Sequence, residues 1–309
     1  MERPAALPSS VNLNNGITMP LLGLGTFRLR ELQNITKAVD AALACGYRSF
    51  DTACVYRNEA DLGCALRQLL PVHGLTRSDI FITSKLAPAD LGQNAREACL
   101  QSLKELGCEY LDLYLIHWPG RQGWRSDDAR NVEARKEAWK AMEDLYDAGL
   151  IKAIGVSNYT EHHLTQLLAS CRVKPAVLQV EFHPQLPQTD LLSWCTENEV
   201  HLQAYSSLGC GNLLGKEDVK KVANVYRKKP SQVLLRWALR QGVGVIPKSS
   251  DPERIKDNFD VWDFDLMEED MHELRMDGKE HRYCWDPTGC VNQSQGSCDK
   301  GCINRNRVI

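Results

Sequence analysis

No stretch of this 309-residue chain approaches the roughly 18 consecutive apolar residues that a membrane-spanning helix needs, so no membrane span is expected. Positive charge is not in excess: 37 Lys and Arg stand against 40 Asp and Glu, a net charge of -3. Nucleic acid and anionic membrane surfaces ask for a concentrated basic face, and neither partner is expected. The opening, Met1 to Ser10, has no basic segment followed by an apolar core, so no secretory signal is expected. Linkers, low-complexity runs and any His-x-His pair are also missing. Cysteine is the exception to this scarcity, with twelve. Most sit singly in apolar patterns, as Cys45, Cys64, Cys99 and Cys195 do, where a thiol behaves as a small hydrophobe. A reducing, cytoplasmic setting is the expectation. Cys290, Cys298 and Cys302 match no standard zinc spacing and lie in a polar stretch, 289–309, expected to be a frayed tail.

What is present is an alternation. Val11 to Pro20 reads as a hairpin turning at Asn14-Asn15-Gly16. After it, period-2 and fully apolar segments alternate with period-3.6 segments. The strands are Leu21–Thr26, Tyr47–Thr52, Ile80–Lys85, Tyr110–Trp118, Ala153–Ser157, Val177–Phe182, His201–Ser206 and Val243–Pro247. Helices follow them, from Asn34–Cys45 through Glu59–Leu70, Asn94–Leu106 and Glu133–Ala148 in the first half. The second half has Thr160–Ser170, Thr189–Glu199, Glu217–Arg227, Ser231–Gln241 and a last helix Met267–Arg275. Strands apolar on both faces are those of a parallel sheet covered by helices. Eight alternations predict one α/β domain, a (β/α)8 TIM barrel with the hairpin across its amino-terminal end.

Three consecutive strands carry ionisable groups at or just past their carboxyl ends: Asp51 and then Tyr56, Lys85, and His117. In a parallel barrel those ends form the active-site face. Tyrosine, with a free pKa of about 10, is a poor acid at neutral pH. A nearby ammonium lowers such a value by about 1–3 pH units. Lys85, kept charged by Asp51, is placed to act on Tyr56, and His117 to hydrogen-bond a carbonyl oxygen. Together they predict a general acid beside an oxygen-orienting group. A structural ion pair among core polar residues is the competing reading. It suits any one of these residues better than it suits four at adjacent strand ends.

After the eighth strand, Asp251 is a good N-cap and Pro252 a good first helical residue. A helix amino terminus favours an anion, so Lys248, Ser249 and Arg254 are candidates for a phosphate group. A solvated helix start with incidental charges is the alternative. Gly209 to Gly215 has glycines, but not with dinucleotide-fingerprint spacing, and reads as a flexible loop. His183 at a strand end raises a metal-dependent hydrolase, which would need several converging ligands.

The ordered set Leu22-Gly23-Leu24-Gly25-Thr26, Phe50-Asp51-Thr52-Ala53, Glu59-Ala60-Asp61-Leu62-Gly63, Ile116-His117-Trp118-Pro119, Gly155-Val156-Ser157-Asn158-Tyr159, Gln179 to Pro184 and Ile246-Pro247-Lys248-Ser249-Ser250 resembles the aldo-keto reductases from about Val11 to Thr288. The resemblance implies NADPH-dependent carbonyl reduction, with Asp51, Tyr56, Lys85 and His117 as the catalytic tetrad. It implies that Ser157, Asn158 and Gln179 hold the nicotinamide amide and that Tyr205 stacks on the ring. Gly25 and Thr26 would approach the cofactor. Ser206, Ser207, Leu208 and Gly209 would follow the pyrophosphate. Ile246, Pro247, Lys248, Ser249, Ser250, Arg254 and Asn258 would hold its adenosine end, with a 2′-phosphate at Lys248, Ser249 and Arg254. Phe27, Val55, Tyr56, His117 and Trp118, with Trp285, would line a mainly apolar substrate pocket, although core packing serves Phe27 and Val55 equally well.

Two departures bear on substrate. Lys85 is followed by Leu86-Ala87-Pro88, where many relatives place a bulky group, and the loop after strand seven is short. This resembles members acting on small aldehydes, dicarbonyls and keto sugars. A monomer acting on a small-molecule carbonyl is expected. The family also implies an alternative, a catalytically weak NADPH-binding or crystallin-like structural barrel.

Overall fold

The computed structural model describes residues 8–275 and 280–287; the tail anticipated over 289–309 lies outside them. Two short strands, β1 (Ser10–Asn12) and β2 (Thr18–Pro20), pair antiparallel about the expected turn. Eight parallel strands follow. β3 (Leu24–Gly25), β4 (Ser49–Asp51), β5 (Phe81–Leu86) and β6 (Leu113–Ile116) alternate with α1 (Leu32–Cys45), α2 (Glu59–Val72) and α3 (Ala95–Leu106). After α4 (Arg130–Asp147) come β7 (Ile154–Ser157), α5 (Glu161–Leu168), β8 (Val177–Glu181), α6 (Thr189–Glu197) and β9 (His201–Tyr205). Two helices, α7 (Glu217–Tyr226) and α8 (Pro230–Arg240), precede β10 (Gly244–Val245), and α9 (Pro252–Phe259) and α10 (Glu268–Glu273) are the last helices among the described residues.

The sheet runs in sequence order from β3 to β10, and its edges meet. Leu22 bridges Val245 in parallel, Val245 N donates to Leu21 O at 2.7 Å, and Gly23 N donates to Val245 O at 2.9 Å. The result is the (β/α)8 barrel the alternation predicts.

All the barrel strands but β5 are shorter than the segments expected, and in three a local feature marks the end. Thr26 turns both its N and its Oγ1 onto the Asp51 carbonyl, ending β3. Asp112 lends its carboxylate, not a carbonyl, to the Ile82 amide at 2.8 Å, and β6 begins at Leu113 instead of the expected Tyr110. Pro247 has no amide to extend β10. The segment Gly209–Gly215, expected as a flexible loop, is a 3-10 turn instead. Its Gly209, Cys210 and Gly211 take φ of 57, 52 and 86 degrees.

Side chains alternate along each strand, so the barrel interior is layered. At the amino-terminal end, Phe81, Leu113, Leu115, Ala153 and Val177 cluster with Leu13 and Met19 of the hairpin. Asn14 Nδ2 and Asn15 Nδ2 pin the hairpin to the carbonyls of Pro175 and Lys152, both at 2.9 Å. Further along the same interior rows stand Lys85, four residues past Phe81, His117, two past Leu115, and Gln179, two past Val177, with Gln203 beside them on β9. The interior is thus apolar below and polar above. The polar end carries the ionisable residues singled out from the sequence.

The helices close around the sheet by near contact. At Gly63 on α2, a Cβ would lie 2.1 Å from the Leu106 carbonyl oxygen of α3. Gly63→Ala is expected to force these helices apart and lower stability by about 1–3 kcal/mol, the usual range for overpacking. A denaturant midpoint unchanged from wild type would show that α2 moves freely. No helix among the described residues is long and apolar enough to cross a membrane.

Candidate active site

The turn after β4 sets the tyrosine. A short 3-10 segment, Cys54–Tyr56, projects Tyr56 over the carboxyl ends of the strands. Asn58 holds that turn from below: its Nδ2 donates to the Thr26 and Leu29 carbonyls at 2.9 and 3.0 Å, and Thr52 Oγ1 donates to its Oδ1 at 2.8 Å. Beneath the tyrosine, Lys85 is wholly buried. Its Nζ donates to Asp51 Oδ1 at 2.6 Å and to the Thr52 carbonyl at 2.8 Å, and lies 5.1 Å from the Tyr56 ring centre. His117 meets the same ring edge-on, centroids 5.7 Å apart. All four expected residues therefore converge.

Their protonation departs from one expectation. Tyr56 is not drawn down toward neutrality by Lys85; its pKa is raised well above the ordinary value, first by burial, then by Asp51 and by Cys284. Part of the Tyr56 surface opens to the cleft, yet the surrounding protein still disfavours a phenolate. Burial pulls the Lys85 ammonium below its ordinary value, against the pull of Asp51. His117 is held well below its usual range by burial and by Lys85, so it is neutral. Its Nδ1 is buried and has no hydrogen-bond partner among the described residues. This favours the tautomer with the proton on Nε2, the one able to donate to a substrate oxygen.

A second network lies beside the first. Ser157 Oγ donates to the Gln179 carbonyl at 2.8 Å, and Asn158 Nδ2 donates to the His117 carbonyl at 2.9 Å. Tyr205 OH donates to Asn158 Oδ1 at 2.7 Å. Gln179 Nε2 bridges Asp51 Oδ2 and Gln203 Oε1, both at 2.8 Å. The residues expected to hold an amide are thus adjacent and linked through Asp51 to the network beneath Tyr56. Gln203 was missed, though it shares the inward row of β9 with Tyr205 and alternation could have flagged it.

At the far end of the cleft, Lys248, half-buried, is pushed down by burial and then by Arg28 and Arg254. Arg28, with φ of 64 degrees, belongs to the turn after β3 and was not anticipated. Neither Arg254 nor Lys248 is in an ion pair among the described residues; Asp257, on the same helix as Arg254, pairs with Lys229. Asp251 is the N-cap of α9, as expected. Asp251 Oδ1 already accepts the Glu253 and Arg254 amides at 2.9 and 3.3 Å, so an anion here would be met by side chains. Asn258 is buried one turn further along α9.

The cleft's open wall is apolar. Phe27 packs 5.1 Å from Tyr56 and is 45% exposed, so it is a lining residue and no part of the core. Val55 is half-buried beside Tyr56. Trp118 meets Trp285 edge-on at 6.0 Å. The segment carrying Trp285 is tied down by Glu181, whose Oε1 accepts the Tyr283 amide at 2.6 Å and the Cys284 amide at 3.2 Å. His183, considered above as a metal ligand, contacts this same carboxylate at 3.1 Å. No sequence signal joins Glu181 to residues so distant.

The aldo/keto reductase family profile matches residues 21–276. Glyoxal reductase of Bacillus subtilis is 42% identical over 280 residues, spanning 90% of this chain and 96% of that one. Methylglyoxal reductase of Escherichia coli is 40% identical over 271 residues, 87% and 93% of the two chains. Among solved structures, aldose reductase from Schistosoma japonicum superposes with a TM-score of 0.81 at 41% identity, covering 89% of this chain and 94% of its own.

Proposed function

The chain belongs to the aldo/keto reductase family, and on that premise we propose that it reduces aldehydes and ketones to alcohols with NADPH, Tyr56 serving as general acid. The observation that carries this is the wholly buried Lys85–Asp51 pair set directly against the Tyr56 ring. A charged pair without solvent is costly to keep, and here it stands where a proton must move.

Tyr56, its pKa raised, stays protonated at neutral pH and holds a proton for a substrate oxygen. Neutral His117 donates a hydrogen bond to that oxygen and fixes the carbonyl beside the phenol. As negative charge builds on the oxygen, the phenol proton crosses, and the Lys85 ammonium offsets the charge left on Tyr56. NADPH, when bound, supplies the hydride. Three residues fit its 2′-phosphate: Arg28, Lys248 and Arg254 crowd together with their charges unbalanced, a repulsion that a dianion relieves. Tyr205, Ser157, Asn158 and Gln179 are placed for the nicotinamide end, and Ser206 to Gly209 for the pyrophosphate. The likeness to reductases named for glyoxal and methylglyoxal supports small dicarbonyls as substrates.

Oxidation of NADPH in the presence of aldehydes, ketones, dicarbonyls and keto sugars tests the proposal. Tight NADPH binding without turnover on any of them would leave a binding or structural barrel. Cofactor choice has its own test. A guanidinium–phosphate contact contributes about 1.5–3 kcal/mol, so Arg254→Ala should weaken NADPH about ten- to hundredfold. NADH, lacking the phosphate, should be barely affected. Equal losses for both dinucleotides, read by quenching of protein fluorescence, would refute the phosphate clamp.

A further inference from the structure

Two cysteines from distant parts of the chain face each other at the cleft. Cys210 Sγ and Cys284 Sγ are 3.8 Å apart, and both thiols reach Ser206 Oγ, at 3.6 and 3.2 Å. Their backbones are fixed independently. On the Cys284 side, Glu181 accepts the amides of Tyr283 and Cys284, the Arg282 guanidinium stands 3.6 Å from its Oε2, and the His281 amide donates to the Gln185 carbonyl at 2.7 Å. On the Cys210 side, Gly209 N donates to the Ser206 carbonyl at 2.7 Å and Gly211 N to the Leu208 carbonyl at 3.0 Å. The two supports touch: a Cβ on Gly209 would lie 2.9 Å from the Tyr283 ring. With the sulfurs already in van der Waals contact, a bond of about 2.05 Å asks for side-chain rotation and a small adjustment of either turn.

We propose that Cys210 and Cys284 form a reversible disulfide under peroxide, fixing the 280–287 segment to the turn after β9 and closing the cofactor's pyrophosphate path at Ser206. The closure rests on the NADPH reading above; the bond itself does not. Either cysteine can make the first attack, and the products are the same with Cys210 in that role. Its thiolate attacks one oxygen of hydrogen peroxide, the O–O bond breaks, and sulfenic acid and hydroxide form. Cys284, giving up its proton, attacks that sulfur, forming the S–S bond and expelling hydroxide. The net change is two thiols and one peroxide to one disulfide and two waters. A dithiol reductant reverses it by exchange. Transient, sensing disulfides of this kind are compatible with a reducing compartment.

The test treats the full-length protein with hydrogen peroxide, maps peptides without reduction, and measures NADPH binding by fluorescence quenching before and after. The expected map contains one linked pair, Cys210 with Cys284, two hydrogens lighter than its parts. Apparent NADPH affinity should fall about tenfold or more, the fraction of protein left open setting the value, and recover with dithiothreitol. Cys210→Ser and Cys284→Ser should each bind NADPH normally and keep that affinity after peroxide. A map joining Cys284 to any other cysteine, or no link at all, overturns the bond. A link that leaves affinity unchanged overturns the closure. Reduced protein that bound neither dinucleotide would remove the cofactor reading and the closure together, while the map still decided the bond.

Discussion

Tyr56→Phe should reduce carbonyls about 10²–10⁴-fold more slowly than wild type, the usual contribution of a positioned general acid, while binding NADPH with unchanged affinity. The substitution removes one oxygen from a ring whose contacts with Phe27, His117 and Lys85 otherwise remain. Folding should be little altered, since the turn that carries the ring is held by Asn58 and not by the phenol. The raised Tyr56 pKa adds a pH signature. A group that stays protonated through neutrality gives a reduction rate that is level there and falls only in strongly alkaline solution. Near wild-type kcat in this variant, with hydride transfer shown by isotope effect to be rate-limiting, would dismiss Tyr56 as the acid.

Lys85→Met should be the most damaging single change to stability in the site, at about 3–5 kcal/mol, because breaking a buried pair leaves a charge without its partner. Asp51 would keep only the Gln179 amide at 2.8 Å. Lys85 itself is no stabiliser at neutral pH. Its folded pKa lies below the ordinary one, so the unfolded chain holds that proton more tightly. The resulting cost is present at neutral pH and disappears as pH rises through the interval between the two values. The double variant Asp51→Asn, Lys85→Met should therefore be more stable than the sum of its singles predicts, a non-additivity expected of contacting residues. Additive losses would show that the pair is not coupled. In the single variant the phenol loses the Lys85 ammonium beside its ring, so any alkaline limb of the rate profile should move upward, and an unmoved limb would count against the lysine's role.

The barrel and the convergence of Asp51, Tyr56, Lys85 and His117 were legible because both depend on local pattern. Alternation announces each strand, and an ionisable residue at the end of a buried run has one place to go in a parallel barrel. Strand lengths were overread wherever a side chain or a proline interrupts the ladder, as at Thr26, Asp112 and Pro247. What stayed hidden is set by the folded surroundings. The upward shift of Tyr56 depends on how burial outweighs a neighbouring ammonium, a balance no spacing encodes. Arg28 reaches Lys248 across the seam between the first and last barrel strands. Glu181 meets Tyr283, and Cys210 meets Cys284, only after the chain has wound fully around the barrel.

That seam has a consequence for how the molecule folds. β3 and β10 are two residues each, and the Leu22–Val245 bridge joins the start of the barrel to its end. Nearly every other strand pair forms between neighbours in sequence, at low cost in loop-closure entropy; this one cannot. On loop-closure entropy the ring is expected to close last during folding and to reopen first, which hydrogen exchange at Gly23 and Val245 slower than at the other barrel strands would refute. The residues on either side of it, Gly25 and Arg28 on one edge and Lys248 and Ser249 on the other, are those assigned to the dinucleotide. A bound cofactor would act as the clasp on the slowest joint of the fold, and kinetic persistence of the native state would follow cofactor supply.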